Sequence, residues 1–329
     1  MRLYGIFKDG MIFQANKPAR IFGTGENVFA EFEGKVYPSV QCGNKFLIEL
    51  PPQPYGDGKT VKVFSDKEEI IIKNVSFGEV ILIAGQSNAQ FRIGQESVKR
   101  NLPSDPRLRF FTVNRVEYDE AVFTEADGWQ PLKSENAYRL SAIACHTGRS
   151  LREKLGVTVG VVCCYQGAST IQAWIEKDFN LPPELNVPIN LRHADSTWHK
   201  FFWNKDGLLF NEMFAKLIPY SFGGAVWYQG ESNTSPAEGR VYEKLLAALI
   251  ENWRTCLKDE NLRFTVVVIC DFDGRNDDAW KSVQNAQRRI TEQVKNVTTV
   301  ESYDVCEHGD IHPGDKLALS KRIAASLEK

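Results

Sequence analysis

Val80-Ile81-Leu82-Ile83-Ala84-Gly85-Gln86-Ser87-Asn88 is the stretch from which the fold of this chain can be predicted. Five apolar residues run directly into a polar turn with glycine and serine, as at the end of a strand buried on both faces. Similar apolar runs recur at residues 108–113, 157–163, 225–228, 264–270 and 297–300. Runs of this kind are typical of strands in a parallel sheet that helices cover on both sides.

Amphipathic helices are predicted between several of these runs. One apolar stripe consists of Leu140, Ile143, Ala144, Leu151 and Leu155. A second stripe consists of Val241, Leu245, Leu246, Leu249, Trp253 and Leu257. Ser235 and Pro236, followed by Glu238, have the composition of a helix start. Strands alternating with helices predict an α/β domain with a doubly wound parallel sheet over residues 79–329.

Residues 1–78 have a different pattern of apolar residues. Short alternating runs, such as residues 28–32 and 45–50, are separated by glycine turns. Short runs separated by turns in this way predict a small all-β domain, sandwich-like or barrel-like, over residues 1–78. A chain of 329 residues is long for a single core, which agrees with two domains.

The composition narrows the function class. With 40 Lys and Arg against 42 Asp and Glu, the net charge of -2 argues against a nucleic-acid binder. No apolar run approaches the roughly 18 residues of a membrane span, so we expect no membrane partner. The seven cysteines lack both disulfide-framework spacing and a CxxC pair, so we expect no metal and no cofactor. The first residues lack a signal-type apolar region, which favours a cytoplasmic location.

Four polar turns follow four of the predicted strands. They are residues 85–88, 165–169, 229–233 and 308–313. The carboxyl ends of parallel strands meet at one edge of a sheet, so we expect these turns to lie close together. They supply a serine, backbone amides, a side-chain amide and a histidine with nearby carboxylates. These are the parts of a serine esterase: a nucleophile, a base and an oxyanion hole.

The same segments resemble a known family. Gly85-Gln86-Ser87-Asn88, Trp227-Tyr228-Gln229-Gly230-Glu231-Ser232-Asn233 and Asp310-Ile311-His312-Pro313 resemble the signatures of sialate O-acetylesterase-like proteins. These proteins belong to the SGNH (GDSL-like) hydrolases and are related to carbohydrate esterase family 6. Residues 167–174 and 9–14 extend the resemblance over nearly the whole chain. It implies a flavodoxin-like, three-layer α/β/α domain preceded by a small all-β domain.

The resemblance also implies roles for particular residues. Ser87 would be the nucleophile and His312 the general base. The backbone N–H groups of Ser87 and Gly167 and the side-chain amide of Gln229 would form the oxyanion hole. The candidate substrate-contacting residues are Gln86, Asn88, Trp174 and Glu231. For Glu231 the alternative is orienting its own turn, and for Trp174, Trp198 and Trp227 the alternative is core packing.

The carboxylate behind His312 has several candidates. Asp310 stands two residues before His312, and residues two apart in an extended segment project to the same side. Asp304, Glu307 and a backbone carbonyl remain alternatives. Among the histidines, His308 is the nearest rival to His312 as the base.

The remaining histidines have structural or surface interpretations. His146 lies at the edge of a helical stripe and is predicted to be structural. His193, Asp195 and His199 have the composition of a metal site, but a solvated or substrate-rim loop is the favoured interpretation.

The chain departs from the family pattern at a few positions. Ala89 stands where methionine is usual, Gln166 where tryptophan is common, and Gln172 where glutamate is common. Ala168 replaces a second glycine and would donate its amide only if its φ is negative. We expect these changes to affect packing and the pocket wall, and so substrate identity more than catalysis.

The predicted activity is hydrolysis of carbohydrate O-acetyl esters through an acetyl-enzyme on Ser87. O-acetylated sialic acid is the first substrate that the resemblance implies. The alternatives are an acetyl xylan or oligosaccharide esterase of the same mechanism, and a catalytically silent carbohydrate-binding protein. The retained Ser87 and His312 argue against the silent alternative.

Overall fold

The computed structural model describes residues 1–116, 124–188, 199–275 and 277–328. His193, Asp195, Trp198 and the side chain of His199 lie outside the described residues, so the possible metal loop stays a prediction. Within the described ranges, no helix is both long enough and apolar enough to span a bilayer.

The centre of the molecule is a row of six parallel strands. Their bounds are β9 Glu69–Gly85, β10 Asp105–Thr112, β12 Val159–Tyr165, β13 Gly224–Tyr228, β14 Phe264–Val267 and β15 Val297–Val300. Their order across the sheet is β10-β12-β9-β13-β14-β15, and β11 (Gln130–Leu132) adds an antiparallel strand beside β10. The predicted apolar runs therefore form a parallel core, and β11 makes the complete sheet mixed.

Helices cover both faces of this row. They are α1 Ser87–Gln90, α2 Ala142–Leu155, α3 Leu208–Glu212, α4 Pro236–Leu257, α5 Asp278–Gln293 and α6 Leu317–Leu327. In β9, Ile81 and Ile83 belong to the same apolar core as α2 and α6. The alternate residues Leu82 and Ala84 belong to the core shared with α4 and α5. Because successive side chains of a strand point to opposite faces, the two cores lie on opposite sides of the sheet.

The predicted start of α4 is confirmed. Ser235 is the N-cap residue, and its Oγ accepts a hydrogen bond from the backbone N–H of Glu238 at 3.3 Å. Pro236 occupies the first turn, where its missing N–H costs no hydrogen bond. The Ser235 hydroxyl also donates to Oε2 of Glu238 at 2.6 Å.

Residues 1–78 contain only strands and turns. The strands are β1 Arg2–Leu3, β2 Ile12–Gln14, β3 Ala19–Thr24, β4 Phe29–Phe32, β5 Lys35–Pro38, β6 Val40–Cys42, β7 Lys45–Leu50 and β8 Gly56–Phe64. Four of them form a separate antiparallel sheet in the order β1-β3-β7-β6. The others join the large sheet: β8 pairs antiparallel with β4 and β9, and β2 pairs parallel with β9.

Strand β9 belongs to both parts of the molecule. Its first half pairs with β8 and β2, and its second half pairs with β12 from Glu79 and with β13 from Ile81. The predicted boundary at residue 78 thus falls inside one continuous strand of 17 residues. The all-β composition of residues 1–78 agrees with the sequence, while the division into two domains stays a prediction.

Candidate active site

Ser87 lies directly beyond the end of the central strand β9. Gly85 closes the strand with φ = +136°, and a Cβ at this position would overlap the carbonyl oxygen of Tyr228. Only glycine fits so close to the neighbouring strand in this conformation. The N–H of Gln86 then donates to Tyr228 O at 3.0 Å, and Ser87 begins the short helix α1. The turn thus places the serine at the edge of the sheet where the polar turns were expected to meet.

His312 makes the contact that an activated serine requires. Its Nε2 lies 2.8 Å from Ser87 Oγ, within hydrogen-bonding distance. Phe91 stacks against the imidazole, with ring centroids 6.4 Å apart and planes 25° apart. The sequence therefore predicted correctly that Ser87 and His312 meet, although 225 positions separate them in the chain. His308, the other candidate base, does not contact Ser87 in this way, because its Nε2 lies 2.6 Å from the carbonyl oxygen of Tyr303.

The environment of His312 favours the neutral imidazole that a base must be. Burial lowers the pKa of His312, and the nearby Lys316 ammonium lowers it further. Asp310 acts in the opposite direction, more weakly. Because a lowered pKa disfavours the charged ring, the imidazole of His312 is mainly neutral at neutral pH, the form that can accept a proton.

None of the three candidate carboxylates is hydrogen-bonded to the imidazole. The distance from Asp310 Oδ1 to His312 Nδ1 is 3.9 Å, which is too long for a hydrogen bond. Asp310 Oδ1 instead accepts from the backbone N–H of His312 at 2.8 Å. Asp304 is held by Arg322 at 2.6 and 2.7 Å, and Glu307 Oε2 accepts from Gly314 N–H at 2.5 Å. Asp310 therefore shapes the loop that carries His312, and its predicted bond to the ring is absent.

The predicted oxyanion hole is only partly available. Ser87 N–H lies in the first turn of α1 and so has no partner within that helix. Gly167 N–H donates to Oε1 of Gln90 at 2.9 Å. Gly167 nevertheless lies beside Ser87, since a Cβ there would be 3.8 Å from Ser87 Cβ. The side-chain oxygen of Gln90 thus occupies an N–H group that was predicted to bind the substrate, and this role of Gln90 was not predicted from the sequence.

The structure corrects the role predicted for Gln229. Its Nε2 donates to Ser169 O at 2.9 Å and to Asn233 Oδ1 at 2.7 Å. The side chain is fully buried, and its Oε1 accepts from the Tyr242 hydroxyl at 2.8 Å. Both amide hydrogens are therefore already used, and Gln229 braces the turn after β13 instead of facing a substrate.

Ala168 adopts a conformation that glycine would reach more easily. Its φ is +51°, in the left-handed region that a side chain with a Cβ disfavours. The condition of a negative φ, which the sequence analysis attached to an amide donor here, is not met. Asn204 Nδ2 donates to the Ala168 carbonyl at 2.9 Å and helps to hold the turn.

The four candidate substrate-contacting side chains are buried, which corrects that prediction. Gln86, Asn88 and Glu231 are 3%, 2% and 6% exposed, and Trp174 is fully buried. Gln86 Oε1 accepts from the N–H groups of Gly230 and Ser232, each at 3.3 Å. These four side chains therefore pack inside the site and expose little surface to solvent.

Trp174 belongs to an aromatic core. Its ring packs edge-to-face against Trp227 and Trp253, with centroid distances of 6.0 and 6.4 Å. Its Nε1 donates to Ser169 Oγ at 2.9 Å. Core packing, the alternative kept open for Trp174 and Trp227, is therefore the role that the structure gives both residues.

A buried cation lies near His312 and next to the residue that follows Ser87. Lys316, at the start of α6, has no exposed surface, and its Nζ donates to Asn88 Oδ1 at 2.7 Å. Asn88 Nδ2 donates to Glu231 Oε1 at 2.6 Å. Burial raises the pKa of Glu231 and lowers the pKa of Lys316 to about 8. Lys316 was not predicted from the sequence, although a lysine four residues after the predicted base was the available signal.

His146 is structural, as predicted. It is buried in α2, and its Nε2 lies 3.0 Å from Glu96 Oε2. The other oxygen of Glu96 accepts from the backbone N–H of Lys316 at 3.1 Å. His146 therefore supports the start of α6 from a distance and makes no contact with Ser87.

Similarity to known proteins agrees with this arrangement. The human sialate O-acetylesterase is 25% identical over 287 residues, covering 77% of this chain and 53% of that protein. The mouse sialate O-acetylesterase is 24% identical over 304 residues, covering 77% of this chain and 56% of that protein. This chain therefore spans about half the length of the curated relatives that it matches.

A solved structure shares the fold. A carbohydrate acetylesterase from Xanthomonas citri superposes with a TM-score of 0.83 at 24% identity, covering 99% of this chain and 74% of that one. A sequence profile described as "Carbohydrate esterase, sialic acid-specific acetylesterase" matches residues 78–326. The chain therefore belongs to the sialic acid-specific acetylesterase family of carbohydrate esterases.

Proposed function

We propose that this protein is a serine esterase that removes O-acetyl groups from carbohydrate, with O-acetylated sialic acid as its first substrate. The observation that carries the proposal is the 2.8 Å contact between His312 Nε2 and Ser87 Oγ. A serine hydroxyl is a weak nucleophile until a positioned base removes its proton. Membership of the carbohydrate esterase family supports an acetyl ester of a sugar as the substrate.

The strand order supports an SGNH-type fold for the catalytic part. Without β10, the outermost of the six parallel strands, the five remaining parallel strands, numbered in chain order, lie in the order 2-1-3-4-5. That is the flavodoxin-like order, in which ligands bind where the connections diverge to the two faces. Ser87 follows the first of these strands, between its two neighbours, and so lies at that point.

The reaction proceeds in two halves. Ser87 Oγ attacks the acetyl carbonyl while His312 Nε2 accepts the hydroxyl proton. Ser87 N–H, and Gly167 N–H once Gln90 has moved aside, stabilise the tetrahedral oxyanion. His312 then gives its proton to the departing sugar oxygen, which leaves as a hydroxyl, and an acetyl-enzyme remains. A water molecule, deprotonated by His312, adds to the acetyl carbonyl, and the imidazole returns this proton to Ser87 Oγ as acetate leaves.

The first test uses a chromogenic acetate and two pairs of variants. Ser87→Ala and His312→Ala should each lose at least about 10³-fold in kcat, as when a member of a catalytic triad is removed. Ser134→Ala and His308→Ala are matched controls, because Ser134 is exposed and His308 bonds to Tyr303. Near-normal activity of either site variant contradicts the mechanism, and an inactive wild-type protein supports the carbohydrate-binding alternative.

The pH profile tests His312 as the base. Its pKa is lowered by burial and by Lys316, so the acid limb of kcat/KM should lie below about 6.5, the ordinary pKa of histidine. An acid limb above that pH argues against His312 acting alone.

The substrate is tested by acetate release. We expect faster release from 9-O-acetylated sialic acid than from acetylated xylo-oligosaccharides, with Ser87→Ala as the blank. The reverse order contradicts the sialate assignment but leaves the esterase mechanism in place. A cytoplasmic location also stays a prediction, which fractionation of the source cells tests.

A further inference from the structure

Lys316 is a buried charge that the reaction scheme above does not use. Its side chain has no exposed surface, and Asn88 Oδ1, at 2.7 Å, accepts a hydrogen bond from its ammonium. The rings of Phe91 and Tyr228 lie 5.0 and 5.8 Å from the nitrogen, within the range of cation–π attraction. A buried ammonium is costly unless its surroundings favour the charge. We therefore expect the Lys316 ammonium to serve a function near Ser87 and His312.

The charges around Asn88 determine how its amide is oriented. The amide oxygen faces the Lys316 ammonium, while Nδ2 donates to Glu231 Oε1 at 2.6 Å and to the carbonyl oxygen of Ile311 at 3.0 Å. Turning the amide over would bring its NH₂ group against a cation and its oxygen against two acceptors. Only the observed orientation satisfies all of these neighbours.

Asn88 links the two catalytic segments of the chain. It directly follows Ser87 in α1, and Ile311, whose carbonyl it binds, directly precedes His312. A shift of that peptide would change the distance between Nε2 and Oγ. Lys316 acts on the link from one side and Glu231 from the other, so the spacing of the catalytic pair depends on a buried charge pair that touches neither reacting atom.

The same cation acts on the imidazole through space. Lys316 opposes a second positive charge on His312, and Asp310 favours it. Around Lys316 itself lie Cys306 and Glu307 from the His312 loop, Cys270 after β14, and Glu231 after β13. All four favour the charged ammonium, and burial opposes it.

We propose that Lys316 is a positioning residue for this esterase, which through Asn88 holds the peptide of His312 against the helix of Ser87. The inference rests on the proposed function, because it assumes that these two residues carry the reaction. It predicts two effects of removing the charge: a less well placed base, and a base that protonates at higher pH.

Lys316→Met tests both effects, because methionine keeps an unbranched side chain and removes the donor. We expect kcat on a chromogenic acetate to fall about 10- to 100-fold, the range for displacing a catalytic group by up to about 1 Å. KM should change little, because Lys316 is buried. The acid limb of kcat/KM should move to higher pH. Lys321→Met, on the exposed face of the same helix, is the matched control and should behave as wild type.

A second variant covers the case in which Lys316→Met does not fold. Lys316→Met combined with Glu231→Gln removes both buried charges and keeps an acceptor for Asn88 Nδ2. Its acid limb should also lie above that of the wild type, since Glu231 is not among the groups that act on His312. In a Lys316→Met, Asn88→Ala double variant, the loss in kcat should be close to that of Asn88→Ala alone, because the lysine acts through the asparagine.

A titration of the histidine ring keeps this inference separate from the proposed function. NMR of labelled histidines, with His312→Ala to assign the signal, should show a higher pKa for His312 in Lys316→Met than in the wild type. This readout needs no substrate, so it holds even if the wild-type protein cleaves no acetate. An unshifted titration and acid limb in Lys316→Met would overturn the inference, even with a loss in kcat, since that loss alone reports only a structural role.

Discussion

Replacing Lys316 with methionine removes a buried ammonium, and the effect on the free energy of unfolding should depend on pH. Burial lowers the pKa of Lys316 in the folded protein to about 8, from 10.5 for an exposed lysine. Below pH 8 both the folded and the unfolded chain carry this proton, and the folded state bears the full cost of burying it. Between pH 8 and 10.5 the folded state releases the proton first, so the wild-type protein gains stability as the pH rises.

The magnitude follows from the two pKa values. One pKa unit corresponds to about 1.4 kcal/mol. For pKa values of about 8 and 10.5, the folded protein releases almost none of this proton at pH 7. At pH 9 the release adds about 1.4 kcal/mol to the free energy of unfolding. Relative to Lys316→Met, the wild type should therefore gain about 1.4 kcal/mol between these two pH values.

Urea unfolding of both proteins at pH 7, 8 and 9 measures this gain. The comparison must be a difference between two proteins, because burial raises the pKa of several cysteines, such as Cys145 and Cys163, to about 12. Those thiols lower stability as the pH rises, and they do so equally in both proteins. Lys321→Met serves as the control and should follow the wild type at each pH. A difference that stays constant from pH 7 to 9 would refute the assignment of this titration to Lys316.

Three further changes test other parts of the site. In the wild type, Gly167 N–H must give up its hydrogen bond to Gln90, worth about 1 kcal/mol, before it can bind the oxyanion. Gln90→Ala removes this cost and should raise kcat/KM about fivefold in steady-state assays. A decrease would mean that Gln90 itself assists the reaction. Asp310→Asn should cost less than about tenfold in kcat, against about 10⁴-fold for a buried triad aspartate, because its carboxylate is 71% exposed and not bonded to the ring. Trp174→Ala should lower the free energy of unfolding by about 3–5 kcal/mol in urea titrations. A change in KM without loss of stability would restore a substrate-binding role for Trp174.

The apolar runs predicted the central sheet well, because burial on both faces leaves a clear composition. The run at residues 297–300 matches β15 in full, and the other predicted runs overlap their strands. Helix α5 was missed because its buried face includes Gln284 and Gln287, whose amides serve the ends of neighbouring strands. The antiparallel β11 was missed because three residues carry too little pattern.

The sequence predicted best those site residues whose side chains have one common function in an esterase site, the serine and the histidine. A serine and a histidine that follow parallel strands meet because these strands end on the same side of the sheet, and the family resemblance singled out Ser87 and His312 among the residues of those turns. The role of Gln229 was not predictable in the same way, because an amide can brace a turn as well as bind a substrate. Its partners Ser169 and Asn233 are set by packing that no spacing in the sequence reveals.

Lys316 and Gln90 are site residues that the sequence did not predict. A lysine at the start of a helix is usually solvated, and here its ammonium is enclosed by Asn88, Phe91 and Tyr228. Gln90 follows the signature segment by two residues, and only the fold of α1 brings its amide to Gly167. Both residues act through three-dimensional neighbours, which composition and periodicity do not record.

The shared strand β9 has a consequence for protein engineering. A chimera joined at residue 78, or a fragment starting at residue 79, would break a hydrogen-bonded strand midway. It would also remove Gln14, whose side chain accepts from Val80 N–H at 2.7 Å and donates to Glu79 Oε2 at 3.1 Å. Tyr220 also donates from the catalytic side to the carbonyl oxygen of Ile12 at 2.5 Å, so the cut would expose an interface as well as an edge. A junction in the turn at residues 65–68, closed by the Ser65 N–H to Glu68 O bond of 2.9 Å, keeps the whole of β9 joined to Ser87.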